Sequence, residues 1–282
     1  MITKSIKSIL LFVILGFISL FFSSCSQLDS GTAISRYNFY EDLNSEENHI
    51  EITHAGGKLS IYASPNNSFN AKTETNHPDW TPKFNKTNGD FLLTQNELPE
   101  VVQKIDKNII NDWEIGIGQN PVTLRLNTLK NNGVYDFTDL HLNDLIIYDG
   151  LSDFELEFKS PNSGEIENLF IKSSSSTAYL GGLSNANFWH FKFEGVGGNY
   201  TLDFSGELQQ NSTVDIISGL GYLQIIIPKN INTIIVLDGI IQRQNIEGDW
   251  INDKNIYFNK TSGNLLTINV EMDITTLELI KK

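Results

Sequence analysis

The most regular feature of this sequence is a succession of short apolar runs separated by Gly, Asn, Asp and Ser, beginning near residue 50. Phe154–Phe158 and Tyr200–Phe204 alternate apolar with polar residues, so one set of side chains points inward and the other outward. This alternation is typical of half-buried β-strands. The pattern predicts an all-β protein, with one helix expected at Pro99–Asn111, where apolar residues recur at helical spacing behind a proline.

A weak internal repeat runs from about Val134 to Gly239 with a period of roughly 21–24 residues. It is marked by D-F-S/T at Asp136 and Asp203 and by turn triplets at Gly150–Ser152, Gly195–Gly197 and Gly219–Gly221. Ser174–Ser176 stands where one unit lacks its glycine. Periods of roughly 20–30 residues are typical of stacked solenoids, because a single unit cannot bury its apolar face alone.

An antiparallel β-sandwich is the alternative fold, since its strands also recur at short intervals. A sandwich commonly joins strands by tight two-residue hairpins, and the sequence has few Asn-Gly or Asp-Gly pairs for them. Largely apolar runs, such as Tyr222–Ile227 and Thr233–Leu237, favour parallel strands that are buried on both faces. The pattern therefore favours a solenoid.

Several segments, taken in their order along the chain, resemble the sequence pattern of one known family. They are Ala55–Ile61, Asp90–Leu93, Trp113–Gly118, Pro121–Leu124, the D-F-S/T units and Ile225–Pro228. Together they resemble the toast-rack domain family over roughly residues 50–240. That family includes the C-terminal part of LiaF-type envelope-stress regulators and many uncharacterised bacterial lipoproteins. The resemblance implies a right-handed single-stranded β-solenoid with an N-terminal β layer. LiaF-type proteins carry several membrane helices ahead of this domain, whereas this chain has only a lipobox-like signal, so a role through a membrane kinase does not transfer.

The N-terminus predicts export. An apolar run at Ile9–Phe22 is shorter than the roughly 20 residues that span a bilayer, as in a signal peptide. It ends at Phe22, Ser23, Ser24 and Cys25, which resemble the lipobox of bacterial lipoproteins, although that family usually has Leu at the position of Phe22. The resemblance implies cleavage before Cys25 and attachment of lipid to its thiol. The alternative is an ordinary secretory signal with an incidental cysteine.

The predicted organisation follows from these segments. It comprises a lipoprotein signal peptide at 1–24, a tether at 25–35, an N-terminal β layer and connector at 36–112, solenoid repeats at 113–245 and C-terminal capping strands at 246–282. Ser26 after the cysteine, rather than Asp, is similar to lipoproteins sorted to the outer membrane. We therefore expect a lipid-anchored protein of the bacterial cell envelope, with the outer membrane as its site.

Composition narrows the possible partners. The chain has 34 acidic and 20 basic residues and a formal charge of −14, so it offers no basic stripe for nucleic acid. Its single cysteine excludes a disulfide framework. The five histidines do not stand at metal-binding spacing, and no cofactor motif occurs, so neither a metal nor a cofactor is predicted.

Catalytic groups are not recognisable in the sequence. Asp136 and Asp203 hold equivalent repeat positions about three units apart, or ~14 Å, which is too far for a glycosidase pair. Trp80 and Trp250 lie in loop-like stretches and are weak candidates for surface binding, or they cover the ends of the solenoid. We therefore expect a non-enzymatic envelope lipoprotein that binds another envelope protein or self-associates. The alternatives are a glycan-binding or carbohydrate-active solenoid and, by family analogy alone, a component of envelope-stress signalling.

Overall fold

A computed structural model of the chain describes residues 33–95 and 108–282 and shows an all-β protein in these ranges. The strands are β1 (Ser35–Asp42), β2 (Asn48–Ala63), β3 (Ser68–Thr75), β4 (Lys83–Thr87), β5 (Asp90–Thr94), β6 (Asn111–Ile117), β7 (Val122–Asp136), β8 (Leu142–Asp149), β9 (Asp153–Glu157), β10 (Asn168–Gly181), β11 (His190–Asp203), β12 (Ser212–Ile227), β13 (Asn232–Glu247), β14 (Ile251–Asp253), β15 (Ile256–Asn259) and β16 (Leu265–Lys281). Two short 3-10 helices occupy Pro78–Trp80 and Leu183–Ala186. The expected helix at Pro99–Asn111 lies largely outside the described residues, and Asn111 itself begins β6.

The body of the protein is a stack of parallel coils. Leu124 pairs with Leu145, Leu145 with Leu169, Leu169 with Phe191, and Phe191 with Val214. Successive partners are therefore 21 to 24 residues apart, as the repeat predicts. Every one of these pairings is parallel, which confirms the β-solenoid and argues against the antiparallel sandwich.

In each coil, the alternation of buried and exposed side chains changes phase at a short segment that we call the corner. In β10, Leu169, Ile171 and Ser173 are buried in alternation, and then Ser174 and Ser175 are both exposed before the alternation resumes at Ser176. The two halves of the coil thus send their alternate side chains into one continuous apolar core. The core is built of Leu, Ile, Val and Phe from every coil, each shielded by the coils above and below it.

The corners bring neighbouring backbones closer than a side chain allows. Gly221 has φ +123°, and a Cβ added there would lie 2.0 Å from the carbonyl oxygen of Gly198. Gly198 has φ +122° and makes a similar approach to Ser176. Only glycine adopts this backbone conformation without strain. Ser175 pairs with Gly197 and Ser176 with Gly198, so the serines do occupy the place of the missing glycine.

The N-terminal layer is continuous with the solenoid. Strand β2 stacks in parallel on both halves of β7, and β5 and β6 then pair in parallel with the two halves of β2. β1 and β3 continue the sheet beyond β6 in antiparallel pairing. The domain boundary expected at 113 therefore falls inside β6, and that expected at 246 falls inside β13.

The C-terminal strands do not form a simple cap. β16, the last strand, lies between β12 and β13 and is parallel to both, so the order of the coils departs from the order of the chain after Ile227. The expectation that residues 246–282 only cover the end of the stack is wrong for β16. β14 and β15 do stand at the end of the strand order, where antiparallel pairing with β13 covers part of an otherwise open edge.

We predict that Gly221→Ala lowers the free energy of unfolding by at least about 2 kcal/mol, because Ala is strained at φ +123° and its Cβ meets the Gly198 carbonyl. Gly197→Ala is the matched control, since its Cβ would find only ordinary contacts at 3.7 Å, and it should change stability by about 0.5 kcal/mol or less. Urea denaturation of both variants measures the difference. Equal stabilities would contradict the close approach of the corners.

Candidate functional site: an exposed apolar ridge at the corners

A row of apolar side chains stands exposed along the corners of the solenoid. In the order of the coils, it consists of Leu129 on β7, Leu151 between β8 and β9, Val196 on β11, Leu220 on β12, Ile274 on β16 and Ile240 on β13. Each of these side chains is between 40% and 64% exposed. We call this row the corner ridge. Seven coils pass the corner from β7 to β13, so the ridge is roughly 29 Å long at ~4.8 Å per coil.

The corner geometry forces these side chains outward. Two or more consecutive residues face solvent where the alternation changes phase, and in six of the seven coils one of them is apolar. Neighbouring coils are in direct backbone contact here: the Leu151 N–H donates to the Leu129 carbonyl at 2.5 Å, and Leu220 pairs with Gly197. The ridge is interrupted at β10, where Ser174 and Ser175 occupy the corner. Exposed apolar side chains gathered along one edge are typical of protein contact sites.

One ridge residue adopts a strained backbone. Ile274 has φ +39°, in the left-handed region that β-branched residues rarely adopt. Its side chain is 52% exposed, so burial in the core does not explain why Ile rather than Gly occupies this corner. Strain of this kind, roughly 1–3 kcal/mol, tends to persist at functional positions. Ile274 therefore supports the interpretation of the ridge as a binding surface.

Hydrogen-bonded polar side chains fill the inner side of the same corners. The carboxylate of Asp149 accepts hydrogen bonds from Thr128 Oγ1 at 2.7 Å and Ser173 Oγ at 3.1 Å, and also from Ser176 Oγ. Tyr200 Oη donates to Ser173 Oγ at 3.2 Å. These bonds connect four successive coils, from β7 to β11, directly beneath the ridge. A satisfied buried network of this kind holds the coils in one register.

Charges are distributed unevenly along the ridge. Exposed Lys130 adjoins Leu129 at the first coil. At the other end, exposed Asp273 adjoins Ile274, and exposed Asp238 lies two residues before Ile240. The ridge therefore has a basic first corner and acidic last corners.

A second polar cluster lies buried in the N-terminal layer. His54 contacts Asn111 Nδ2 through Nε2 at 3.1 Å, and the ring of Trp113 packs edge-on against it at 5.0 Å between centroids. Asn111 also donates to Gln95 Oε1 at 3.1 Å and accepts from Trp113 Nε1 at 3.1 Å. Nδ1 of His54 has no hydrogen-bond partner among the described residues. Burial lowers the pKa of His54 to about 3, and the interaction of the imidazole with the Asn111 backbone only partly opposes this.

The two tryptophans expected at the surface differ in exposure. Surface binding through Trp80 is wrong: its side chain is 1% exposed, because the 3-10 turn that His77 caps directs the indole inward. Trp250 packs against the core at the C-terminal end of the stack, with Lys281 Nζ 5.3 Å from its ring centroid and its Nε1 donating to the Glu247 carbonyl at 3.0 Å. Trp80 therefore offers no binding surface, and Trp250 offers only part of its ring.

Asp136 lies beside a different carboxylate from Asp203, the one considered from the sequence. Asp136 pairs with Glu157 in the next coil, and Lys159 Nζ lies 2.7 Å from Asp136 Oδ2 and 3.2 Å from Glu157 Oε2. Burial raises the pKa of Asp136, but hydrogen bonds from Lys159 and Thr138 outweigh it, so the pKa is below its usual value. A glycosidase needs one carboxyl with a raised pKa as general acid, and an ion-paired carboxylate is poorly suited to that role.

The remaining predicted residues are placed as follows. Cys25 and the lipobox residues Phe22, Ser23 and Ser24 lie outside the described residues. His190 is exposed on β11 with Nε2 2.7 Å from Asp215 Oδ2. Within residues 33–95 and 108–282, no group of three His, Cys, Asp or Glu side chains could hold a metal ion, and no helix is long and apolar enough to cross a membrane.

Comparison with known proteins agrees with this geometry. A family model described as the N-terminal domain of toast_rack, DUF2154, matches residues 29–170, which is half of the chain. The chain belongs to the toast-rack family. The resemblance inferred from the sequence is thereby confirmed, and the toast-rack solenoid continues past the matched region through β10 to β16. No curated protein matches the sequence.

Several solved structures align with most of this toast-rack chain at low sequence identity. A "putative cell adhesion protein" from Clostridium sporogenes is 18% identical, with a TM-score of 0.47 over 89% of this chain and 100% of that one. A "putative adhesin" from Bacteroides fragilis is 10% identical, with a TM-score of 0.38 over 89% of this chain and 98% of that one. The quoted names apply to the two solved proteins and assign no role to this chain.

Sequence reasoning missed the ridge although its signal was present. The triplets Gly150–Ser152, Gly195–Gly197 and Gly219–Gly221 mark turns, and each has an apolar residue at its centre. An apolar residue between two turn residues lies where the chain bends, so it is not part of the alternation that directs apolar side chains into the core. Its recurrence at the repeat period therefore indicates a row of exposed apolar side chains.

The buried imidazole of His54 makes a prediction about pH. The unfolded chain binds a proton at His54 near pH 6.5, whereas the folded chain does so only near pH 3, so its contribution to stability is complete above pH 6.5 and is lost as the pH falls. We expect the free energy of unfolding to fall by about 1.5 kcal/mol between pH 6.5 and 5.0 from this group alone. Urea titrations at several pH values measure it.

His54→Gln should remove this pH dependence, and His190→Gln, at an exposed position, should retain it. Equal slopes for the parent protein and His54→Gln would contradict the assignment to His54.

Proposed function

We propose that this toast-rack protein is a non-enzymatic cell-envelope lipoprotein, anchored through Cys25, that binds protein through its corner ridge. The observation that carries the proposal is the ridge itself. Six apolar side chains line one edge of the stack, and the corner geometry explains why these positions are exposed but not why they are apolar. A hydrogen-bonded network beneath the corners of β7 to β11 holds these coils in register, which preorganises this part of the surface for binding.

The anchor explains how a rigid stack would be presented. Residues 26–35 are small and polar, which suits a tether between the lipid and β1. Acyl chains gain ~0.8 kcal/mol per buried methylene, and more than one chain makes attachment stable. A partner in the envelope would then meet the ridge at a high local concentration.

We predict that Cys25→Ala changes both the mass and the fractionation of the protein, which would become soluble or keep its signal peptide. Mass spectrometry and membrane fractionation of cells that produce each form measure the two effects. Unchanged mass and unchanged fractionation would contradict lipid attachment at Cys25.

The ridge is tested by the double variant Leu151→Ser/Leu220→Ser. Serine is the natural corner residue of β10, so the fold should tolerate it. Each leucine is more than half exposed, and burying the exposed part against a partner stabilises by about 1 kcal/mol or more. We expect capture of proteins from cross-linked envelope to fall about tenfold or more.

Val134→Ser is the matched control, because Val134 is 52% exposed on β7 but lies beyond the corner. It should leave capture unchanged. A glycan array on the same three proteins tests the alternative: strong glycan binding that ignores the ridge variants, without any captured protein, would favour a glycan-binding solenoid.

A further inference from the structure

The arrangement of the corner ridge is complementary to itself. We propose that the ridge binds a second copy of this chain, with the two solenoids antiparallel and related by a two-fold axis at Val196. This inference rests on the proposed binding role of the ridge and names its partner. In a dimer with two-fold symmetry, both copies use the same surface. If residue i of the first copy contacts residue j of the second, then residue j of the first copy contacts residue i of the second.

The order of the corners provides the first argument. The seven coils carry Leu129, Leu151, the two serines, Val196, Leu220, Ile274 and Ile240 in succession. An antiparallel pair centred on the fourth coil places Leu220 of one copy opposite Ser174 and Ser175 of the other. The 58% exposed leucine would thus meet the small residues of the gap, twice in each dimer. In a parallel pair the two gaps would face each other and stay unfilled.

The remaining apolar residues also meet apolar residues in this register. Leu129 at the first coil lies opposite Ile240 at the seventh, and Leu151 at the second lies opposite Ile274 at the sixth. Val196 meets its own copy at the axis. Every apolar member of the ridge therefore has either an apolar partner or the serine gap.

Charge provides an independent argument. Lys130 is exposed at the first corner and Asp238 at the last. The antiparallel pair brings Lys130 of each copy to the end where Asp238 of the other lies. The parallel pair would place Lys130 beside Lys130 and Asp238 beside Asp238, and like charges in close contact oppose association. Both arguments therefore select the same orientation.

Cysteine cross-linking tests the orientation directly. The parent chain has one cysteine, Cys25, so new thiols can be placed singly and the parent reports any link through Cys25. The full chain, purified from membranes in detergent, is treated with a short thiol-specific cross-linker. Val196→Cys should form covalent dimers in high yield, because the two copies of this position meet at the axis.

Leu129→Cys should form few dimers alone, because its partner position is Ile240. An equal mixture of Leu129→Cys and Ile240→Cys should form mixed dimers, which are distinguishable if one protein carries an added mass tag. Val134→Cys, exposed but away from the corner, measures accidental collisions. Thermal unfolding of each variant confirms that its fold is retained.

Two results would overturn the proposal. Self-linking of Leu129→Cys as efficient as that of Val196→Cys would show a parallel pair, and dimer yields no higher than those of Val134→Cys would show that the ridge does not bind its own copy. If Leu151→Ser/Leu220→Ser still lost envelope capture in that second case, the ridge would bind a different protein. The proposed function would then stand without the self-association.

Discussion

The structure depends on the fixed register between parallel coils. Each coil exposes apolar side chains toward the interior and can bury them only against the coils on either side. The backbone hydrogen bonds of the sheet and the close approach at the corners set that register together. At Gly221 the approach is so close that even a methyl group would meet the carbonyl of Gly198. The polar network around Asp149 locks the same register from the inside.

The change of phase that lets both halves of a coil face the core also produces the exposed row of residues at the corners. A strand that changes its inward face must leave consecutive residues outside at the point of change, and the solenoid repeats this point in every coil. Residues at one corner are therefore brought into a row, although they lie more than twenty residues apart in the chain. A stack of parallel coils therefore aligns side chains from successive coils, and in this toast-rack protein the aligned side chains at the corner are apolar. The solenoid holds these apolar side chains at a fixed spacing, as the proposed contact with a protein requires.

The two ends of the stack are closed by strands that do not belong to the parallel coils. An open sheet edge can pair with any other strand, so solenoids need a device that blocks the last coil. Here antiparallel strands serve at both ends, with β1 and β3 beyond β6 and with β14 and β15 beside the first half of β13. The insertion of β16 between β12 and β13 joins the C-terminus to the interior of the stack. Residues far apart in the chain thereby close the fold.

The sequence by itself determined the class of this protein and the size of its unit. Alternation in Phe154–Phe158 reports a half-buried strand, and the spacing of the turn triplets reports a coil of 21 to 24 residues, because both are local consequences of backbone geometry. The sequence also placed Ser174–Ser176 where one unit lacks its glycine, and the pairing of β10 with β11 confirms it. Only the tertiary structure decided the order of β16 and β13, the burial of Trp80 and His54, and the place of Ile274 and Ile240 in the apolar ridge. Each of these depends on which coil lies beside which, and that is set by the total burial that the whole stack achieves. No local pattern carries that information.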